Sequence, residues 1–142
     1  MNIDRNDLLK KFTGFNERAG EELITWKLDE PMRKHTTFRI GGPASIFVSV
    51  KTLGALREVI SILRTNDVRM FILGRGSNLL FSDKGYDGAV VSLAMLDKIS
   101  VEAETLTAQA GALVTNAAKK ALESSLTGME FLYGIPGTCG GG

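Results

Sequence analysis

Apolar residues recur along this chain in two rhythms, the three-to-four spacing of a helix and the alternation of a strand. Leu8, Leu9, Phe12 and Phe15 share one face, which predicts a helix over residues 4–22 with Asn2 or Asp4 as its cap. Leu23–Leu28 alternates in part, carries Trp26 as a packing residue and stops at Asp29-Glu30-Pro31. Residues 1–30 therefore read as a helical and extended segment that leans on a main body of residues 31–142. In that body Ala44–Val50 alternates, with Ile46, Val48 and Val50 on one face of a strand. Thr52 caps a helix over 53–66 whose stripe is Leu56, Val59, Ile60 and Leu63. The apolar run Val68–Leu73 predicts a buried strand, and Ala89–Leu93 predicts another. Residues 98–101 and 105–110 are two short strands joined at Glu102-Ala103-Glu104 and ended by Gly111. Leu113–Ser124 is an alanine-rich helix with Leu113, Ala117, Ala118, Ala121 and Leu122 inward, and Met129–Tyr133 is a short helical turn. Strands and helices interleave without strict alternation, which favours an α+β fold over a doubly wound sheet.

Three polar, glycine-rich segments interrupt this pattern. The first is Gly74-Arg75-Gly76-Ser77-Asn78, set between the apolar anchors Leu73 and Leu79. Its glycines admit positive φ and close backbone approach, and its N–H groups suit a phosphate or pyrophosphate. The spacing serves a tight turn between two core strands equally well. The second segment runs from Lys34 to Ala44 around Gly41-Gly42-Pro43. Arg39, between Phe38 and Ile40, is expected to bury its stem and aim its guanidinium at a partner. His35, the sole histidine, has no Cys or His nearby and reads as a solvated loop residue. The third segment is Gly134–Gly142. Three such segments in one small domain point to a large ligand containing a diphosphate.

Composition narrows the field without choosing. The 142 residues suffice for one domain with a core, and the net charge of +1 implies no general attraction to nucleic acid or anionic membrane. No run approaches the ~18 apolar residues of a membrane span, and the N-terminus lacks the apolar core of a signal peptide. A single cysteine, Cys139, forms no internal disulfide and fits a reducing, cytoplasmic compartment. Five of the sixteen glycines lie between Gly134 and Gly142, so the chain is expected to be the front part of a longer one. The Walker P-loop is absent, and the dinucleotide fingerprint fails because Leu79 stands at its third glycine. Zinc spacing and the nucleophile elbow are absent too, and Glu21-Glu22 reads as solvated surface, so neither a metal ligand nor a catalytic residue is assigned.

Thr36–Ala44, then Leu73–Leu80, then Gly128-Met129-Glu130 to Gly134–Thr138 occur in an order and spacing that resemble the UDP-N-acetylenolpyruvoylglucosamine reductases, flavoenzymes of bacterial peptidoglycan synthesis. The resemblance spans about residues 31 to 142. It implies an FAD-binding domain of the vanillyl-alcohol-oxidase, or p-cresol methylhydroxylase, type. Such a domain has two α+β lobes with the cofactor between them, here with the second lobe truncated. It implies cofactor contacts from Arg39 and Gly41 in the second segment, and from Gly74, Arg75, Gly76, Ser77, Asn78 and Leu79 in the first. Ile135, Pro136, Gly137 and Thr138 would pass close to the pyrophosphate and flavin. Two departures stand out: Cys139 where a small aliphatic residue is expected, and Gly142 where alanine is usual. Cys139 reads as a buried inert thiol or a reactive one beside the flavin.

The family reaction is two hydride transfers, from NADPH to FAD and from the flavin to the enolpyruvyl carbon of a UDP-sugar, with a serine supplying the proton. The resemblance places that serine, an arginine and a glutamate downstream of Gly142, and the UDP-sugar and NADPH sites in a missing C-terminal domain. A monomer with weak FAD retention and no turnover is expected of this chain. The alternatives are a fragment of another FAD-dependent oxidoreductase of the same fold, or a non-catalytic module.

Overall fold

The structure is a computed structural model that describes residues 4–142; the alternative cap Asn2 lies outside them. The first helix, α1 (Arg5–Ala19), is capped by the Asp4 carboxylate, which accepts from Asp7 N–H. It ends earlier than the apolar spacing predicts because Gly20 turns left-handed at φ 73° and donates back to the Glu17 carbonyl. Strand β1 (Ile24–Pro31) then runs antiparallel to β2 (Pro43–Val50), with Ile24 opposite Val50 and Pro31 opposite Pro43. The expected stop at Asp29-Glu30-Pro31 is not a stop. β1 is an edge strand, and a proline at the end of an edge costs the sheet no shared hydrogen bond. A boundary after residue 30 thus falls inside β1, and α1 and β1 share the main core.

Helix α2 (Leu53–Thr65) is capped by the Thr52 hydroxyl and leads to β3 (Met70–Leu73). Strand β4 (Tyr86–Ser92) follows and inserts between β2 and β3, parallel to both, so the sheet order is β1-β2-β4-β3. β4 begins three residues before the apolar run does. Gly88 permits this, since a Cβ there would meet the Arg69 carbonyl at 2.5 Å, and Ala89 N–H donates to that same carbonyl. β3 is an edge strand, not a buried one: Ile72 is 43% exposed.

The central strands are covered on both faces. On one, Leu8 and Phe12 of α1 and Ala55, Val59 and Leu63 of α2 pack on Ile46, Val48, Val50 and Val91, with Trp26 against Phe12. Ile62 rather than Ile60 completes the buried stripe of α2. On the other face Met32, Phe47, Leu73, Phe81 and Val90 form a second cluster, walled by edge-to-face contacts among Phe71, Phe81 and Tyr86.

The remainder is smaller. β5 (Ile99–Glu102) and β6 (Thr105–Ala108) form an antiparallel hairpin, and α3 (Val114–Glu123) follows. Gly111 joins this region to the first: its N–H donates to the Leu96 carbonyl, and a Cβ would run into the Leu93 carbonyl. Val114, Ala117, Ala118 and Ala121 are buried at helical spacing. Leu122, expected inward, is 76% exposed because it lies one position round the helix from that stripe. A single 3-10 turn, Glu130–Leu132, leads into the last glycine loop.

Candidate functional site

The loop that leaves β3 at Gly74 is fixed by two neighbours. Thr37 N–H donates to the Gly76 carbonyl at 3.0 Å. Gly76 has φ 65°, and a Cβ there would overlap the His35 carbonyl, so only glycine lets the two segments lie this close. On the other side Gly74 packs on Thr138, whose Oγ1 would lie 2.8 Å from a Cβ. The Ile135–Thr138 segment is in turn bound to the start of α3, with Val114 N–H donating to the Gly137 carbonyl at 3.2 Å. A loop from each region therefore meets the 74–80 loop.

Between these loops lies a cleft of two adjoining cavities, of about 750 and 440 Å³, which share Gly74, Arg75, Ser77, Ile135, Pro136 and Gly137 as walls. Arg39 lines the larger cavity, with Lys34, His35, Thr36, Thr37, Ser92, Leu113 and Thr115. Gly76, Asn78, Leu79 and Thr138 line the smaller, with Phe71, Ile72, Leu93 and Val114. Of the residues expected at the site, Gly41 alone is not brought to it. It is buried against Phe81 and Met32, and its carbonyl accepts from Arg33 N–H. Arg39 does not bury its stem; it is exposed, at φ 54°, beside the cavity. Cys139 lines neither cavity.

The hydrogen-bond pattern separates the three glycine segments. Among the described residues, the backbone N–H groups of Gly74, Arg75, Gly76, Ser77, Asn78, Leu79 and Leu80 have no protein acceptor. In the second segment paired and open groups alternate: Arg39 N–H donates to the Thr36 carbonyl and Gly42 N–H to the Ser82 carbonyl, while those of Phe38, Ile40 and Gly41 have no protein acceptor. In the third segment the N–H groups of Cys139, Gly140, Gly141 and Gly142 are all paired internally, while those of Gly134, Gly137 and Thr138 are open. All three segments leave donors open, but an unbroken run of open donors occurs in the first. No Asp or Glu lines either cavity, whereas Lys34, Arg39 and Arg75 do. Successive unpaired amides with cations and no carboxylate form a receptor for an anion.

His35 departs most from the sequence reading. Its ring stacks on Phe47 with centroids 4.1 Å apart and planes at 22°, and its Nε2 lies 3.0 Å from Glu30 Oε1. Glu30 is buried, within 4.0 Å of Lys27 and Lys34 nitrogens. The hydrogen bond from His35 holds the Glu30 carboxyl below its ordinary value; burial opposes this, and the two lysines add to it. Sequence offered no signal for this pair, because their approach depends on the 3-10 turn Met32–Lys34 folding the chain back.

A mixed sheet covered on both faces, joined to a smaller lobe across a cleft of open amides, defines a nucleotide-cofactor domain. Residues 44–142 match the family described as FAD binding domain, and the chain belongs to that family. More narrowly, the chain is 45% identical over 114 residues to UDP-N-acetylenolpyruvoylglucosamine reductase of Clostridium botulinum, covering 80% of this chain and 37% of that protein. The crystal structure of the enzyme so named from Thermus caldophilus superposes with a TM-score of 0.61 at 28% identity, over 83% of this chain and 40% of that one. Substrate-bound p-cresol methylhydroxylase superposes at 0.61 with 14% identity, over 88% of this chain and 26% of that one, which establishes the shared fold. The chain spans roughly two fifths of the length of the curated relatives it matches.

Proposed function

We propose that this chain is the FAD-binding part of an NADPH-dependent reductase that converts UDP-N-acetylglucosamine enolpyruvate to UDP-N-acetylmuramate. The observation that carries the reading is the run of unpaired amides from Gly74 to Leu80, in a loop whose residues Gly74–Leu79 line a cleft without carboxylates. An FAD diphosphate fits that donor set. The 74–80 amides, with Ser77 and Asn78, would hold it, Gly137 and Thr138 would close over it from the second lobe, and Arg75, Arg39 and Lys34 would supply balancing charge. The apolar walls Phe71, Ile72, Leu79, Val114 and Ile135 suit a planar ring and exclude water from it. FAD when bound supplies hydride transfer; this chain positions it and shields it. The similarity to named reductases over about two fifths of their length supports the substrate assignment, with the UDP-sugar and NADPH held by the remaining part of the polypeptide. The protein acts in the cytoplasm as a monomer.

The test is made on the full-length polypeptide containing these residues. It should purify with flavin absorbance and oxidise NADPH only when the UDP-enolpyruvyl sugar is present. A colourless protein, or NADPH oxidation that ignores this sugar and responds to alcohols or hydroxy acids, would overturn the assignment. The 142-residue chain by itself should bind FAD with a Kd weaker than micromolar and show no turnover.

A further inference from the structure

We infer that His35 is an anion-binding residue of the cleft whose contribution to holding a dinucleotide diphosphate depends on its proton. The inference rests on the FAD reading above. His35 lines the larger cavity beside Arg75 and Ser77, and its own carbonyl backs Gly76. Phe47 fixes the ring plane and Glu30 takes Nε2. Glu30 is ionised and can only accept, so Nε2 carries the hydrogen in both charge states of the ring. Nδ1 is the remaining nitrogen and has no protein partner among the described residues. A neutral ring therefore offers a lone pair at Nδ1, which cannot bond a phosphate oxygen. A protonated ring offers an N–H instead.

Charge acts in the same direction. Glu30 stands directly behind the ring and outside the cavity lining. Glu30 already faces Lys27 and Lys34, so protonation of His35 adds one further positive charge beside the cleft. The other charged groups that face the pair are Lys27 on β1 and Lys34 on the turn, with Arg39 and Arg75 around the cavity. None of these changes charge between pH 5.5 and 8, the range in which histidine does. The two diphosphate charges of FAD also stay constant there.

The experiment titrates FAD to millimolar concentration by flavin fluorescence between pH 5.5 and 8, with riboflavin, which lacks phosphate, in parallel. The wild-type chain should bind FAD about tenfold more tightly at pH 5.5 than at pH 8, the scale of one charge-assisted hydrogen bond, while riboflavin stays flat. His35→Gln, which keeps a polar side chain in place, should bind FAD equally at both pH values. Glu30→Gln removes the negative charge and frees the tautomer, so it should tighten FAD at pH 8 and reduce the pH response. A wild-type pH response that persists in His35→Gln, or that riboflavin shares, overturns the inference and leaves the FAD reading standing. Failure of the full-length polypeptide to bind FAD at any pH overturns that reading instead.

Discussion

The two regions that meet at the cleft are built differently. The four-stranded region holds itself together: both faces of its sheet are covered, and Phe12, Ile24, Met32, Ile46 and Leu63 are fully buried. The region from Ile99 onward has a two-stranded hairpin and one helix lined with alanines, and it leaves Leu122, Phe131 and Tyr133 more than 70% exposed. Its attachment includes the backbone bond from Gly111 N–H to the Leu96 carbonyl and the packing of Thr138 on Gly74. One region supplies stability and most of the open amides; the other supplies the covering loop. A ligand held between a firm wall and a loosely attached one should reinforce the weaker attachment, because binding energy contributes to the closed arrangement.

Substitutions can break this contrast or sharpen it. Phe12→Ala, which empties a fully buried site, should cost about 3–5 kcal/mol in denaturant unfolding. Gly76→Ala should cost about 1–3 kcal/mol, because the residue has φ 65° and its Cβ would overlap the His35 carbonyl. It should also weaken FAD binding more than its loss of stability accounts for, since the overlap pushes the amide loop off its support.

Acidification tests the first region again. Glu30 is held below its ordinary value of 4.5, so its pairing contributes in full above that pH and is lost as pH falls through the folded-state value. The melting temperature should therefore drop below about pH 4.5, and Glu30→Gln should lose less over that interval. The smallest effect belongs to the second region: Leu122→Ser should stay within about 0.5 kcal/mol of wild type, because its side chain is already in water.

Much of the fold could be read from periodicity where one face is buried. Leu8 and Phe12, Ile46 and Val48, and Ala117 and Ala121 all lie where spacing puts them. Periodicity misleads where local rules compete with tertiary position. Glu30 and Pro31 look like a stop yet extend an edge strand, and Val68–Leu73 looks buried although β3 has a neighbour on one side only. Glycine spacing located the loops of the site but did not reveal which amides were open. Gly41 and Gly76 look alike in sequence; one fills a packing gap against Phe81 and the other brings a donor loop beside His35. That difference arises from contacts distant along the chain, as does the stacking of His35 on Phe47.

The central claim is that the open amides of the first glycine loop receive a dinucleotide diphosphate. Amide-resolved NMR of the isotopically labelled chain, titrated with FAD and separately with riboflavin, tests it most directly. FAD should shift the N–H signals of Gly74–Leu80 together with Gly137 and Thr138, and riboflavin should leave most of them in place. Equal shifts with riboflavin, or FAD-induced shifts confined to other segments, would contradict the account.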